Sequence, residues 1–288
     1  MLRKSLKIFG YVVLGLLLLA VILIGVYFFT AKKLFYSNLR IVRPDSLLTL
    51  YMGGGGNSVI LNSDSAVLVI DTKMGKPADK LFDLVDSMAD GKKIYVVNTH
   101  SDNDHTGGNP KYKGSTIITG KVDTDYWISL NGNENMPTVW LADTMDIRLG
   151  DETVTLISTG QAHTWCDIVA YFHNRRILVT GDIIFNQINP ALQDKKGSSG
   201  PKSIEALRRL NQIADIELVV PGHGETGGRE LITQMLAYFE DMSMAAENPE
   251  KEKEILKKYK VWASMPGVLS PAITIDHFRK QMKNQHGI

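Results

Sequence analysis

The sequence predicts an α/β fold, with sheets covered by outer helices, behind a single N-terminal membrane-spanning helix. Short apolar strands alternate with amphipathic helical stretches after residue 50, and turn-rich tetrapeptides join neighbouring strands as hairpins. A third observation sets the N-terminus apart: Ile8 to Phe29 is a 22-residue run without a charge.

That run is polar only at Tyr11 and Tyr27. At ~1.5 Å per residue it can cross a hydrocarbon core about 30 Å thick. A cleaved signal peptide normally has an apolar region of about 7–15 residues and a small-x-small exit. Here the exit reads Tyr27-Phe28-Phe29-Thr30-Ala31-Lys32, so a retained signal-anchor is expected, with the lipid bilayer as its partner through residues 8–29. Arg3, Lys4 and Lys7 face Lys32, Lys33, Arg40 and Arg43 across the span, and the charge rule barely separates the two orientations. A first helix this close to the start of a chain usually keeps its short end in the cytoplasm. The expectation is a single-pass membrane protein with its large domain on the extracytoplasmic side: residues 1–33 tail and anchor, 34–50 juxtamembrane connector, 51–288 the folded domain.

Val59-Ile60-Leu61 and Ala66 to Ile70 flank Asn62-Ser63-Asp64-Ser65, a hairpin pattern. Leu81, Leu84, Val85 and Met88 recur at helical spacing within Lys76 to Met88. Further strands are expected at Ile94–Val97, Thr116–Ile118, Val154–Ile157, Ile168–Phe172, Arg176–Thr180 and Glu217–Val220. Helices are expected at Lys202–Ile213 and Arg229–Ala246, with a charged, solvated helix at Glu250–Lys260. No repeat of 20–50 residues is visible.

Composition excludes several classes. The 288 residues are 44% apolar and 22% charged, the balance of a globular chain and not of a disordered or collagenous one. One cysteine forbids an internal disulfide. The net charge of +1 conceals an asymmetry, because Arg3, Lys4, Lys7, Lys32 and Lys33 stand in the first 33 residues without an acid. Setting those five aside leaves −4 on the remaining 255 residues, so a nucleic-acid partner has no compositional support. No specific protein partner is implied either.

Four of the seven histidines, His100, His105, His163 and His223, each closely follow an expected strand, in segments rich in Gly, Thr, Asp and Asn. Within Asn98-Thr99-His100-Ser101-Asp102-Asn103-Asp104-His105, two imidazoles and two carboxylates crowd into six residues. A lone histidine at a strand end is usually a hydrogen-bonded surface residue; this density has no packing rationale. An extended loop would present positions 100, 102 and 104 to one side. Imidazoles and carboxylates are ligands for borderline divalent metals.

These segments resemble the metallo-β-lactamase-fold superfamily, whose signature His-x-His-x-Asp-His is followed by a lone His, an Asp after Gly and a final His after a strand. The chain has His100, Asp102, Asp104 and His105 at the first motif, His163 in Gly160-Gln161-Ala162-His163-Thr164, Asp182 in Thr180-Gly181-Asp182, and His223 in Val220-Pro221-Gly222-His223-Gly224. The Gly55 to Ser58 lead-in and Val69-Ile70-Asp71-Thr72 also match. The resemblance spans residues 50–226 and implies a four-layer αββα sandwich with its site at the sheet edges.

The resemblance further implies two divalent metal ions, zinc in the first instance, about 3.5–4 Å apart. His100, Asp102 and His163 would hold one, Asp104, His105 and His223 the other, and Asp182 would bridge. It implies a metal-dependent hydrolase in which a metal-bridging hydroxide attacks a small-molecule ester, thioester, amide (β-lactams included) or phosphoester. Asp104 would orient that water and shuttle its proton, as the catalytic residue. Asp71 is a candidate acceptor for the free N–H of a ligand histidine.

Asp102 departs from the signature, which has histidine there. Two imidazoles and a carboxylate make a harder, more anionic site that suits Fe or Mn as well as Zn. The flavodiiron proteins of the same fold carry a carboxylate at that position, so a diiron redox or oxygen-sensing protein is the alternative. No flavodoxin domain or cluster-binding cysteine set accompanies the motif. A third reading is a binding protein whose altered site no longer turns over.

Other features have bland readings beside functional ones. Cys166, three residues after His163, is a possible thiolate ligand but better read as a small apolar residue opening a strand. Gly53 to Gly56 lacks the Gly-Lys-Ser/Thr of a phosphate loop and reads as a flexible approach to the hairpin. Trp127, Trp140 and Trp165 are candidates to line a pocket, though each alone is better read as core; Trp165, two residues from a ligand, is the best candidate. The loop from Phe185 to Pro201, with Asn186, Gln187, Asn189 and Lys195-Lys196, is a candidate holder of an anionic substrate group. No role is assigned to His173, His277 or His286.

Overall fold

The computed structural model describes residues 2–35, 39–265 and 267–286. The apolar run lies in one continuous helix, α1 (Leu2–Phe35). From Phe9 to Phe29 its mean hydropathy is 3.0 and none of it is buried, so it is long and apolar enough to cross a membrane.

Seven strands form the first sheet in chain order: β1 (Arg40–Val42), β2 (Leu48–Met52), β3 (Ser58–Asn62), β4 (Ala66–Ile70), β5 (Lys93–Val97), β6 (Thr116–Gly120) and β7 (Val139–Leu141). Pairing is antiparallel from β1 to β4, where short turns suffice, and parallel from β4 to β7. The parallel half needs crossovers. These contain α2 (Gly75–Ala89), the single turn α3 (Asn103–Thr106) and α4 (Thr124–Asn131).

The second sheet runs β12-β11-β10-β9-β8, built from β8 (Thr144–Leu149), β9 (Glu152–Gly160), β10 (Asp167–Phe172), β11 (Ile177–Phe185) and β12 (Leu218–His223). Its hairpins are antiparallel, and β11 pairs parallel with β12 across α5 (Gly200–Leu210). The chain then continues into α6 (Glu230–Glu247), α7 (Pro249–Lys258) and α8 (Pro271–His286).

Period-two alternation sorts these strands into four layers. Leu50, Leu61, Leu68 and Ile70 of the first sheet meet Val154, Leu156, Ile168 and Phe172 of the second in the central core. Their neighbours Tyr51, Ile60, Val67 and Val69 face outward onto Leu81, Val85 and Ala89 of α2. On the far side Val169, Leu178 and Val219 pack under Leu207, Leu231, Met235, Tyr238 and Phe278 of the C-terminal helices. The central strands, β4 and β10 among them, are buried on both faces and read as continuous apolar runs, whereas β1 is exposed and β8 alternates.

Two expectations are corrected. Residues 34–50, expected as a connector, supply β1 and part of β2, which pairs with β3 from Leu48 onward. Leu48 to Met52 is buried throughout, so it shows no hydrophobic alternation to mark it as a strand. The metal-motif loop bends from Thr99 to Ser101 and only Asp102 is extended; α3 then begins, with the His105 and Thr106 amides donating to the Asp102 carbonyl at 2.9 and 3.1 Å. Asp104 and His105 are therefore aimed by a helical turn and not by strand-like alternation.

Candidate metal centre

The site lies where the two sheets open at the ends of β4, β5, β11 and β12 and in the hairpin between β9 and β10. His100, Asp102, Asp104 and His105 follow β5, His163 occupies that hairpin, Asp182 sits in β11 and His223 ends β12. All seven sequence-derived positions converge. One set of donor atoms combines His100, Asp102 and His163, another Asp104, His105 and His223, and a third His100, His105 and Asp182, each with its atoms within 4.8 Å of one another.

Asp182 stands at the centre. Its Oδ1 is 3.2 Å from His105 Nε2, and its Oδ2 lies 3.5 Å from His163 Nε2, 3.5 Å from His223 Nε2 and 3.7 Å from His100 Nε2. Asp102 Oδ2 is 3.5 Å from His163 Nε2, and Asp104 Oδ2 is 3.3 Å from His223 Nε2. His100 Nε2, His105 Nε2 and Asp182 Oδ1 are buried without a hydrogen-bond partner. Lone pairs buried in this way are costly unless they bind something. A divalent cation between nitrogen and carboxylate donors fits them.

The titration behaviour reports the same crowding of charge. Burial opposes ionisation of Asp182, but His223, His105 and His100 outweigh it and hold its carboxyl well below the usual range. Asp102 is held low against burial by His163 and His100, and Asp104 is pulled down to about 2 against burial by His105 and His223. The imidazoles divide. Burial and the neighbouring His105 push His100 down to about 4. His223 is raised to about 9 despite burial, by Asp182 and Asp104.

Asp71 fulfils the acceptor role expected of it. Its carboxylate is buried and accepts from His105 Nδ1 at 2.7 Å, from the Thr99 amide at 2.8 Å and from Thr99 Oγ1 at 2.8 Å. Since Thr99 Oγ1 donates to Asp71, it accepts from His100 Nδ1, 3.0 Å away. One acid thus orders two histidines, turning both Nε2 lone pairs into the site.

Lys73 was not singled out by sequence, where one lysine after a strand carries no signal. It is fully buried, and its Nζ donates to the Gly53 carbonyl at 2.8 Å and to the Gly56 carbonyl. Burial pushes it down to about 7, against Asp104 and Asp71. Together these bonds pin the glycine segment over the site. A Cβ on Gly56 would fall 2.2 Å from the His105 ring, so only glycine permits this approach.

A cleft of about 230 Å³ opens over the centre, lined by Asp102, Asp104, Asp182 and His223 together with Gly55, Met74, Phe185, Ala191, Gln193, Lys196 and Val268. The tryptophans are not among these residues. Trp127 is buried, donates its Nε1–H to the Asn135 carbonyl and packs edge-on against Trp140. Trp165 is 44% exposed. Cys166 is buried, its thiol pushed up to about 12 by burial and Asp167, and it belongs to none of the donor sets.

The loop after Phe185 has mixed roles. Asn186 donates to the Glu225 carbonyl and Asn189 to the Ala263 carbonyl, while the Gln187 carbonyl accepts from the Ala263 amide; all three secure the backbone. Lys196 reaches the centre, with Nζ 2.9 Å from Asp102 Oδ1. His277, expected to have no role, pairs with Asp194 and lies 3.1 Å from the Ser198 carbonyl, helping to hold the same loop. His173 sits by Thr155 away from the site, and the side chain of His286 lies outside the described residues.

Known proteins share this architecture. The chain is 27% identical over 190 residues to a metallo-beta-lactamase type 2 of Bacillus cereus, covering 62% of this chain and 71% of that enzyme. Over 141 residues it is 29% identical to a hydroxyacylglutathione hydrolase of Pelagibacter ubique, covering 44% of this chain and half of that protein. A metallo-beta-lactamase structure from Pontibacter korlensis superposes with a TM-score of 0.62 at 20% identity, covering 70% of this chain and 99% of that one, which shows a common fold. The model of the metallo-beta-lactamase superfamily, whose members are generally metal-dependent hydrolases, matches residues 51–223. The chain belongs to the metallo-beta-lactamase superfamily.

Proposed function

We propose that this protein is a membrane-anchored hydrolase that uses two divalent cations, zinc by preference, to cleave a small-molecule ester, thioester, amide or phosphoester. The observation that carries the reading is the Asp182 carboxylate, within 3.7 Å of the Nε2 atoms of all four histidines. His100, Asp102 and His163 would hold one cation, Asp104, His105 and His223 the other, with Asp182 shared. Bound cations supply Lewis acidity, which makes water nucleophilic near neutral pH and polarises a carbonyl or phosphoryl oxygen.

The chain's own groups do the rest. Asp104, whose side chain is 22% exposed to the cleft, orients the attacking water through a carboxylate oxygen and carries its proton to the leaving group. Asp71 keeps the His100 and His105 tautomers fixed while charge develops. Gly55 and Phe185 line the cleft beside the centre, and its volume of about 230 Å³ favours a small substrate. We place the folded domain outside the cytoplasm.

Full-length protein in detergent is assayed for metal content and against nitrocefin, lactoylglutathione and bis-nitrophenyl phosphate. Two zinc ions and turnover of one of these are expected, with Asp182→Ala and His163→Ala each losing both activity and metal. Iron with a visible chromophore and no hydrolysis would favour the diiron alternative. Unchanged turnover in either variant would refute the ligand assignment. Protease access to a C-terminal tag in intact cells tests orientation; tag loss only after lysis would contradict export.

A further inference from the structure

Asp102 stands where the superfamily signature has histidine, exchanging a neutral imidazole for an anion. Its two oxygens are divided between different partners. Oδ2 faces His163 Nε2 at 3.5 Å, on the side of the proposed cation, while Oδ1 lies 2.9 Å from Lys196 Nζ, an ion-pair contact without the angle of a hydrogen bond. We propose that Lys196 is the built-in counter-ion of Asp102, a positioning residue that holds the carboxylate in its ligating orientation and offsets its charge. The pair then presents one oxygen donor with no net charge beside His100 and His163, as an imidazole would.

Lys196 is not an ordinary solvated lysine. Its side chain is 25% exposed, and the backbone that carries it is tied down on several sides. Its own carbonyl accepts from Tyr126 Oη at 3.0 Å, and the next carbonyl, Gly197, accepts from Gln161 Nε2 at 2.9 Å. Ser198 Oγ donates to the His163 carbonyl at 2.6 Å, which ties the lysine loop to the histidine hairpin. Gly197 turns the chain at φ 86°, and a Cβ there would lie 2.4 Å from the Trp165 ring. These bonds fix the loop's backbone beside Asp102. An ammonium already matched to a carboxylate is also a poorer anchor for a substrate anion, which revises the role expected of this loop from sequence.

The proposal rests on the metal-site reading, and its test separates the two. Zinc affinity of the full-length protein in detergent is measured by competition with a chromophoric chelator for four forms: the parent, Lys196→Met, Asp102→His and the double variant, with Lys196→Arg as the conservative control. In the parent background Lys196→Met should weaken one of the two zinc sites and spare the other, by roughly 10–100-fold, the usual effect of removing a ligand's outer partner. Lys196→Arg should restore most of that loss. With Asp102→His, the same lysine removal should cost less than about threefold, because a neutral imidazole needs no counter-ion. Equal losses in both backgrounds, or no loss in the parent, would overturn the pairing while leaving the metal site standing. A parent that binds no zinc would overturn both.

Discussion

The Asp71 carboxylate accepts the Nδ1–H of His105 at 2.7 Å, and through Thr99 Oγ1 it also orders His100. One buried acid therefore serves a histidine from each of the two proposed donor sets. Replacing it with asparagine keeps the volume but removes a charged acceptor for both rings. Asp71→Asn should lower zinc affinity by about 10–100-fold, read by chelator competition, and should do so at both sites. A loss confined to one site would show that the Thr99 relay does not matter.

His223 contributes to the pH dependence, together with His105 and His163, which neighbouring carboxylates also raise against burial. Burial works against its charged form, but Asp182 and Asp104 raise its pKa from 6.5 to about 9. In the metal-free protein this proton stabilises the fold fully below pH 6.5, and the contribution is lost as pH rises through about 9. Zinc must displace the same proton. Zinc binding at pH 7 should release protons, detected by titration calorimetry in buffers of different ionisation enthalpy, and affinity should climb as pH rises from 7 towards 9. Binding heats independent of the buffer at pH 7 would contradict this.

The glycine segment makes a steric prediction. A Cβ at residue 56 would overlap the His105 ring at 2.2 Å, and the carbonyl of the same residue is held by Lys73. Gly56→Ala must displace either the ring or the segment. Expected are loss of metal from the site containing His105 and destabilisation of about 1–3 kcal/mol, the range for overpacking, by denaturant unfolding. Full metal content with unchanged stability would mean that the segment relaxes freely.

Cys166 should be chemically silent. Its thiol is buried and pushed up to about 12, so almost no thiolate exists at pH 8. A disulfide reagent should label the folded protein hardly at all and the denatured protein fully. Rapid labelling of the native protein would place the thiol in an open, charged environment instead.

Most of the candidate donors were legible because they stand in polar Gly, Asp and Asn segments at or just after the end of an apolar strand, a contrast that local sequence records; Asp182, inside β11, was found only through the family motif. The same holds for the β3–β4 hairpin and for α2, whose Leu81 and Val85 keep helical spacing. β2 was not legible, since a strand buried on both faces loses its alternation. The tryptophans were ambiguous because an aromatic side chain suits a core and a pocket alike, and only packing against Trp140 settled Trp127.

By itself the sequence determined which seven His and Asp residues the fold brings together, where an apolar helix long enough for a bilayer lies, and that helices cover sheets. Tertiary structure alone decided the partners: Lys73 buried beneath the glycine segment, Asp71 shared by two histidines through Thr99, and Lys196 set against Asp102. The physical reason is that helical and strand periodicities act over a few residues. Which charge meets which across two packed sheets depends on loop backbones held by bonds from distant segments, and no local pattern encodes that.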